Sequence, residues 1–268
     1  EGESKTIIKM KVDILALGAH PDDVEISCSA TILKHISLGQ KVAVVDLTQG
    51  ELGTRGSAEE RLIEAADSAK LIGLSDRVNL GFRDGFFTHD EAHLLEIVKM
   101  IRKYQPEIVL ANSVSDRHPD HGKAGKLIAD ACFLAGLQKI ATTLDGEVQT
   151  HWRPKAVYHY IQDYYLKPDF VVDVTGFEQK KIEAIKAFKT QFFDPSSKKK
   201  KTPISGKDFF DFLLGRMKDF GRPIGAEYAE GFTTSRHVGV NSLNENSCQT
   251  IDDGPLLVDS TDGCIWWI

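Results

Sequence analysis

Cysteine is scarce and poorly placed for pairing: Cys28, Cys132, Cys248 and Cys264 are the only four, and no two stand in a CxxC spacing. That argues against a zinc ribbon and against a disulfide framework, and makes a reducing cytoplasm the expected compartment. Positive charge is not in excess either. A formal net charge of −6 lacks the clustered Lys and Arg that hold phosphate backbones, so nucleic acid is not an expected partner. The one basic run, Lys198 to Lys201, reads as a solvated loop. No apolar run reaches the length of a transmembrane span, and Glu1 to Met10 has no apolar core of signal-peptide type. No membrane partner is expected. The first apolar run is not followed by a GxGxxG turn, which weakens a dinucleotide-binding reading.

What is present is an ordinary globular composition, 41% hydrophobic and 27% charged, with neither disorder nor collagen-like bias. A length of 268 residues can bury a large core, and with no repeat and no linker the chain reads as one domain over 10–242. Residues 1–9 read as a leading remnant or extension, with Met10 a natural start. Residues 243–268 break all earlier periodicity and end on Cys264-Ile265-Trp266-Trp267-Ile268, a tail to which no role is assigned.

Within 10–242, strand and helix patterns alternate. Val12 to Gly18 is an apolar run, and Val24 to Leu38 has helical spacing that stops at Gly39. Val42 to Thr48 is a β-branched run of the kind buried on both faces of a parallel sheet. Gly50-Glu51-Leu52-Gly53-Thr54-Arg55-Gly56 forms a glycine-rich loop, after which Ser57-Ala58-Glu59-Glu60 has the form of a capping box opening a helix to Gly73. Arg77 to Phe82 is a weaker strand, Ala92 to Tyr104 a helix, and Pro106 to Ala111 a fourth strand. A helix from His121 ends at Gly136. Lys155 to Ile161 and Phe170 to Val174 read as strands, and Phe177 to Phe193 as a long helix. Asp208 to Phe220 reads as a shorter helix, and Tyr228 to Phe232 as a returning strand or loop. The fold class is therefore α/β, Rossmann-like, with a mainly parallel sheet of order 3-2-1-4-5, helices on both faces and a C-terminal α/β extension. In such sheets the first and fourth strands are neighbours, and ligands bind beyond their carboxyl ends.

Two polar clusters follow those two strands. Ala19-His20-Pro21-Asp22-Asp23-Val24-Glu25 crowds an imidazole and three carboxylates into one turn, and Asp116-Arg117-His118-Pro119-Asp120-His121 repeats the theme nearly a hundred residues later. Two imidazoles and a carboxylate suit a catalytic zinc with an open position. His20, Asp23 and His121 would supply them, leaving Asp22 and His118 beside the metal to move protons. The structural alternative is helix capping, in which Asp22 or Asp23 accepts orphan N–H bonds. Capping explains neither His20 nor the second cluster. Asp116 and Asp120 are expected to orient imidazoles, and Glu25 to act on the helix dipole or near the metal. His35, His89, His93, His151, His159 and His237 are scattered and need no function.

The paired motifs resemble the signature of the LmbE or PIG-L-like zinc-dependent N-acetylglucosamine deacetylases. The resemblance runs from about Met10 to about Ser242. Gly50 to Gly56, Tyr160-Ile161-Gln162-Asp163 and Tyr228 to Phe232 are most similar to the bacillithiol-biosynthesis branch, which deacetylates N-acetylglucosaminyl-malate. The resemblance implies His20, Asp23 and His121 as metal ligands, Asp22 as general base, protonated His118 as the group facing the oxyanion, and Arg117 as the residue holding Asp22. It implies Zn2+ as cofactor, with another divalent metal such as Fe2+ admitted, a small-molecule sugar conjugate as substrate, and a homo-oligomer, trimer or hexamer. Arg61 matches an arginine that in relatives enters the substrate site, where it would pair with a malate carboxylate; its alternative is a solvated helix residue pairing with Glu60 or Glu64. Arg55 is a second substrate-binding candidate. A tyrosine that some relatives bring over the site has no counterpart near Phe209 and Phe210. Other N-acetyl sugars, diacetylchitobiose or a glycolipid, remain as substrates, and a non-hydrolytic nucleotide- or sugar-binding module remains as another class.

Overall fold

Ile14-Leu15-Ala16-Leu17-Gly18 is apolar throughout because both of its faces are covered. It forms β1 (Ile14–Gly18), an interior strand of the sheet with every residue buried. The computed structural model describes residues 10–192, 202–206 and 208–239. The leading segment 1–9, the basic run Lys198 to Lys201 and the tail 243–268 fall outside them.

The first half alternates as its pattern predicts. After β1 come α1 (Asp23–Ser37), β2 (Val42–Thr48), α2 (Ala58–Ile72), β3 (Asp76–Phe82), α3 (Glu91–Tyr104), β4 (Ile108–Ala111) and α4 (Pro119–Ala135). A short ribbon of β5 (Thr143–Leu144) and β6 (Glu147–Val148) precedes β7 (Ala156–Tyr160), β8 (Phe170–Asp173), α5 (Glu178–Lys186), α6 (Asp208–Gly221) and β9 (Ala229–Thr233). The seven-stranded sheet has the order β3-β2-β1-β4-β7-β9-β8. Its first five members are parallel, and β9 runs antiparallel between β7 and β8. The 3-2-1-4-5 order is thus extended by an antiparallel pair, with Tyr228 to Phe232 contributing a strand rather than a loop.

Side chains alternate across the strand, so β1 feeds both layers. Leu15 and Leu17 join Ile97, Ile101, Leu127 and Ile128 of α3 and α4 on one face. Ile14 and Ala16 join Val24, Cys28 and Ile32 of α1 on the other. Cys28 and Cys132 are buried free thiols. Among the described residues no helix is long and apolar enough to cross a membrane.

One expected element is shorter than its pattern. The helix expected from Phe177 to Phe193 stops at Lys186, because the chain then turns to let Thr190 donate both its N–H and its hydroxyl to Glu64, at 2.7 and 2.8 Å. A tertiary bond to α2 overrides the local helical preference.

Glu25 stands in the first turn of α1, as expected, but is fully buried rather than solvated. It lies 2.5 Å from Arg77, whose guanidinium forks onto Asp46 at 2.8 and 2.9 Å. Burial pushes the Asp46 carboxyl up, and Arg77 opposes this. Arg77→Met is expected to destabilise the fold by about 3–5 kcal/mol, since it leaves two buried carboxylates without their cation. Asp46, already pushed up by burial, would lose the cation that opposes this, so its folded-state pKa would rise further above the unfolded one and the native state would hold the extra proton. The deficit is expected to grow as pH rises, and urea melts at about pH 5.5 and about pH 8 would measure it.

Candidate active site

The two clusters meet at the carboxyl ends of β1 and β4. His20 and Asp22 occupy the turn into α1, Asp23 is the first residue of that helix, and His118 and Pro119 open α4, with Pro119 suited to a first helical position. They line a cavity of about 370 Å³ together with Arg61, Asp84, Asp116, Arg117, His121 and Gln162.

Asp22 stands at the N-cap of α1 but caps nothing. Its φ of 125° is one that side-chain-bearing residues rarely adopt, and no backbone N–H reaches its carboxylate. Helix capping therefore does not account for it, and such strain is retained where a surrounding structure imposes it. That structure is Arg61, which donates to Asp22 Oδ2 at 3.2 Å, to the Pro21 carbonyl at 2.8 Å and to the Gly50 carbonyl at 3.1 Å. A Cβ at Gly50, itself at φ 63°, would lie 1.8 Å from the guanidinium, so only glycine admits it. The glycine-rich loop is a seat for Arg61. Burial pushes the Asp22 carboxyl up to about 7, against the pull of Arg61.

Asp23 is the buried hub. Its Oδ2 accepts from the His20 N–H and from Asn112 Nδ2, both at 3.0 Å; its Oδ1 accepts from Gln162 Nε2 at 3.1 Å and lies 3.1 Å from His121 Nε2. His20 Nδ1 is 3.6 Å from the same carboxylate. The other nitrogen of each imidazole meets a second carboxylate: His20 Nε2 lies 3.0 Å from Asp84, and His121 Nδ1 bonds Asp116. A carboxylate behind each imidazole is the arrangement that fixes tautomer and aim in a metal-ligating histidine. Burial disfavours charge on His20, but Asp120, Asp23 and Asp84 outweigh it and hold its pKa well above the usual range. His121 is likewise raised, to about 9, by Asp23 and Asp116 acting against burial. The pocket favours positive charge, and its donor set fits a divalent cation.

Two other groupings compete for that cation. His20, His118 and His121 can bring ring nitrogens within 4.8 Å of one another, as can His20 with carboxylate oxygens of Asp84 and Asp120. In the second, as at Asp23, the carboxylates are held by other donors: Asp84 accepts from Leu52 N–H, and Asp120 from Gly85 N–H and Lys123. In the first, His118 Nδ1 accepts from Asp120 N–H at 3.3 Å, leaving Nε2 to carry its proton. Burial, then His20 and His121, lower the His118 pKa. Both that hydrogen bond and the lowered pKa favour a neutral imidazole whose Nε2–H can donate.

The three arginines singled out in the sequence are placed differently from one another. Arg117 does not hold Asp22; it pairs with Asp163 at 2.9 Å, half-exposed on the rim. Arg61 takes that place, and is neither solvated nor paired with Glu60, which caps Ser57, or with Glu64. It lines the cavity as its substrate-site role requires, with NH1 and NH2 bonded to Asp22 and two carbonyls. Arg55 is buried and absent from the cavity wall, its carbonyl accepting from Gln191. Of the scattered histidines, His35, His89, His93 and His159 bond Gln40, Asp130, Asp90 and the Asn112 carbonyl, away from the cavity. Asp84, Asn112, Gln162 and Arg216 are site residues that the two motifs did not indicate. The first three each lie just past the carboxyl end of a parallel strand, which is the signal that could have found them.

Comparison with known proteins points the same way. Residues 15–132 match the PIG-L family, described as GlcNAc-PI de-N-acetylase. The diacetylchitobiose deacetylase of Thermococcus kodakarensis is 30% identical over 190 residues, 67% of this chain and 70% of that protein. A conserved protein of Thermus thermophilus superposes with a TM-score of 0.75 at 31% identity, covering 85% of this chain and 97% of that one. The N,N'-diacetylchitobiose deacetylase of Pyrococcus horikoshii, solved with its inhibitor, gives 0.70 at 28% identity over 82% of each chain.

Proposed function

We propose that this chain, which belongs to the PIG-L family of de-N-acetylases, uses Zn2+ held by His20, Asp23 and His121 to deacetylate N-acetylglucosaminyl-malate, the bacillithiol-biosynthesis step. As a member of that family it is a deacetylase, hydrolysing an amide C–N bond. The observation that carries the finer reading is the hub at Asp23, flanked by two imidazoles that are each backed by a second carboxylate.

When bound, the metal ion supplies Lewis acidity for the acetamide carbonyl and acidifies water. Asp22, fixed by Arg61 in its strained conformation, takes the proton of the attacking water and returns it to the departing amine. His118 faces the same cavity, and its Nε2–H donates to the oxyanion as charge develops there. Acetate and a free glucosamine amine are the products. Diacetylchitobiose is the second reading, favoured by the relatives that carry that activity in their names. A nucleotide-binding module is not favoured, since Arg61 fills the loop where phosphate would lie.

The test is acetate release from N-acetylglucosaminyl-malate, diacetylchitobiose and free N-acetylglucosamine, before and after chelation. Activity is expected to vanish on metal removal and return with Zn2+ or Fe2+. Full turnover by metal-free protein would overturn the metal reading.

A further inference from the structure

Three arginines line the cavity, and they are not in the same state. Arg61 is engaged with Asp22 and two carbonyls, and Arg117 with Asp163. Arg216, from α6, has no hydrogen bond or ion pair among the described residues, and its NH1 is buried without a partner. Its guanidinium carbon lies 5.0 Å from the Phe212 ring centroid, so one face is supported by an aromatic wall. An arginine cannot shed its proton to escape burial, as a lysine can. Burial lowers the Arg216 pKa, and the carboxylates that oppose this do so only from a distance.

Those carboxylates are committed elsewhere. Asp116 Oδ1 accepts from the backbone N–H groups of Asp163 and Tyr164, and its Oδ2 bonds His121. Asp163 is held by Arg117. Glu230 bonds Lys181 and accepts the N–H groups of Ala30 and Thr31. Among the described residues the fork of Arg216 therefore has no acceptor of its own, while it forms part of the wall of the cavity that holds Asp22 and His118. Arg216 is half-buried, and the buried N–H of its fork without an acceptor is a loss that a ligand bringing an anion removes.

We infer that Arg216 is a specificity residue that binds an anionic oxygen group, carboxylate or phosphate, carried by the substituent on the N-acetylglucosamine. This rests on the deacetylase reading above and assigns the residue that reads the acidic part of its substrate. Neutral disaccharides leave the guanidinium unpartnered. N-acetylglucosaminyl-malate satisfies it through a carboxylate, and N-acetylglucosamine 1-phosphate through a phosphate.

The test compares wild type, Arg216→Gln and Arg216→Lys, all metal-loaded, on those two acidic substrates and on diacetylchitobiose. Arg216→Gln is expected to raise KM for the acidic substrate about 10- to 150-fold, the worth of a hydrogen bond to a charged group. Its kcat/KM on diacetylchitobiose is expected to stay at the wild-type value, which also controls for folding. Arg216→Lys is expected to fall between, retaining charge but not the fork. The acidic substrate with the larger Gln penalty identifies the group. Unchanged KM on both acidic substrates, an equal loss on all three, or a wild type active on the neutral sugar alone would overturn the inference and leave the deacetylase reading standing. A wild type that releases acetate from none of them would overturn that reading itself.

Discussion

Asp22→Asn is expected to lower acetate release by about a hundred- to ten-thousand-fold, the usual worth of a general acid–base group, with bound metal unchanged. The substitution isolates proton transfer from architecture. Asparagine has the same size and can still accept from Arg61 through its carbonyl oxygen, so the guanidinium that also holds Pro21 and Gly50 keeps its partners. It also belongs to the few residue types that tolerate positive φ, which matters at a position held at 125°. Asp22→Ala would lose both properties and confound rate with folding. Metal analysis beside kinetics checks the prediction, and an Asn variant with more than about a tenth of wild-type kcat would exclude Asp22 as the base.

Much of this site was legible in the chain because its chemistry sits in two short runs placed after strands. Strict apolar character in β1 and β2 announced strands buried on both faces, and the strand–helix alternation put the turns after β1 and β4 side by side. The supporting residues were not legible for a physical reason. Asp84 and Asn112 follow β3 and β4 without a local motif, and Gln162 lies in the stretch after β7 whose resemblance gave no role to it; each contributes one polar atom to His20 or Asp23. Their meaning exists only once the sheet has aligned the strand ends. Arg61 shows the same limit: its position on α2 suggested either solvent or substrate, whereas the absence of a Cβ at Gly50 lets it reach across to Asp22. The shortened α5 is a further case, since helical spacing to Phe193 could not reveal the bonds of Thr190 to Glu64. Arg216 was invisible for the opposite reason: on α6 it reads as an ordinary surface cation, and only the committed state of its neighbours makes it unusual.

Asp23→Asn is expected to lose the metal and, with it, essentially all acetate release, while keeping the fold. Asp23 collects three donors, from His20 N–H, Asn112 and Gln162, and faces His121. Alanine would strand those donors at about 1–3 kcal/mol each, so its failure would be ambiguous. Asparagine keeps one carbonyl acceptor and the volume, but replaces an anionic oxygen donor with a weak neutral one at the centre of the set. The contrast with Asp22→Asn is diagnostic, because adjacent carboxylates should separate into one variant that binds metal without turnover and one that does neither. The outcome also decides between the two imidazole groupings. If His20, His118 and His121 held the ion, Asp23→Asn would retain it and His118→Ala would release it. With His20, Asp23 and His121 as ligands the pattern reverses: His118→Ala stays metal-loaded and loses rate alone, because the nitrogen it removes donates to charge that exists only in the transition state.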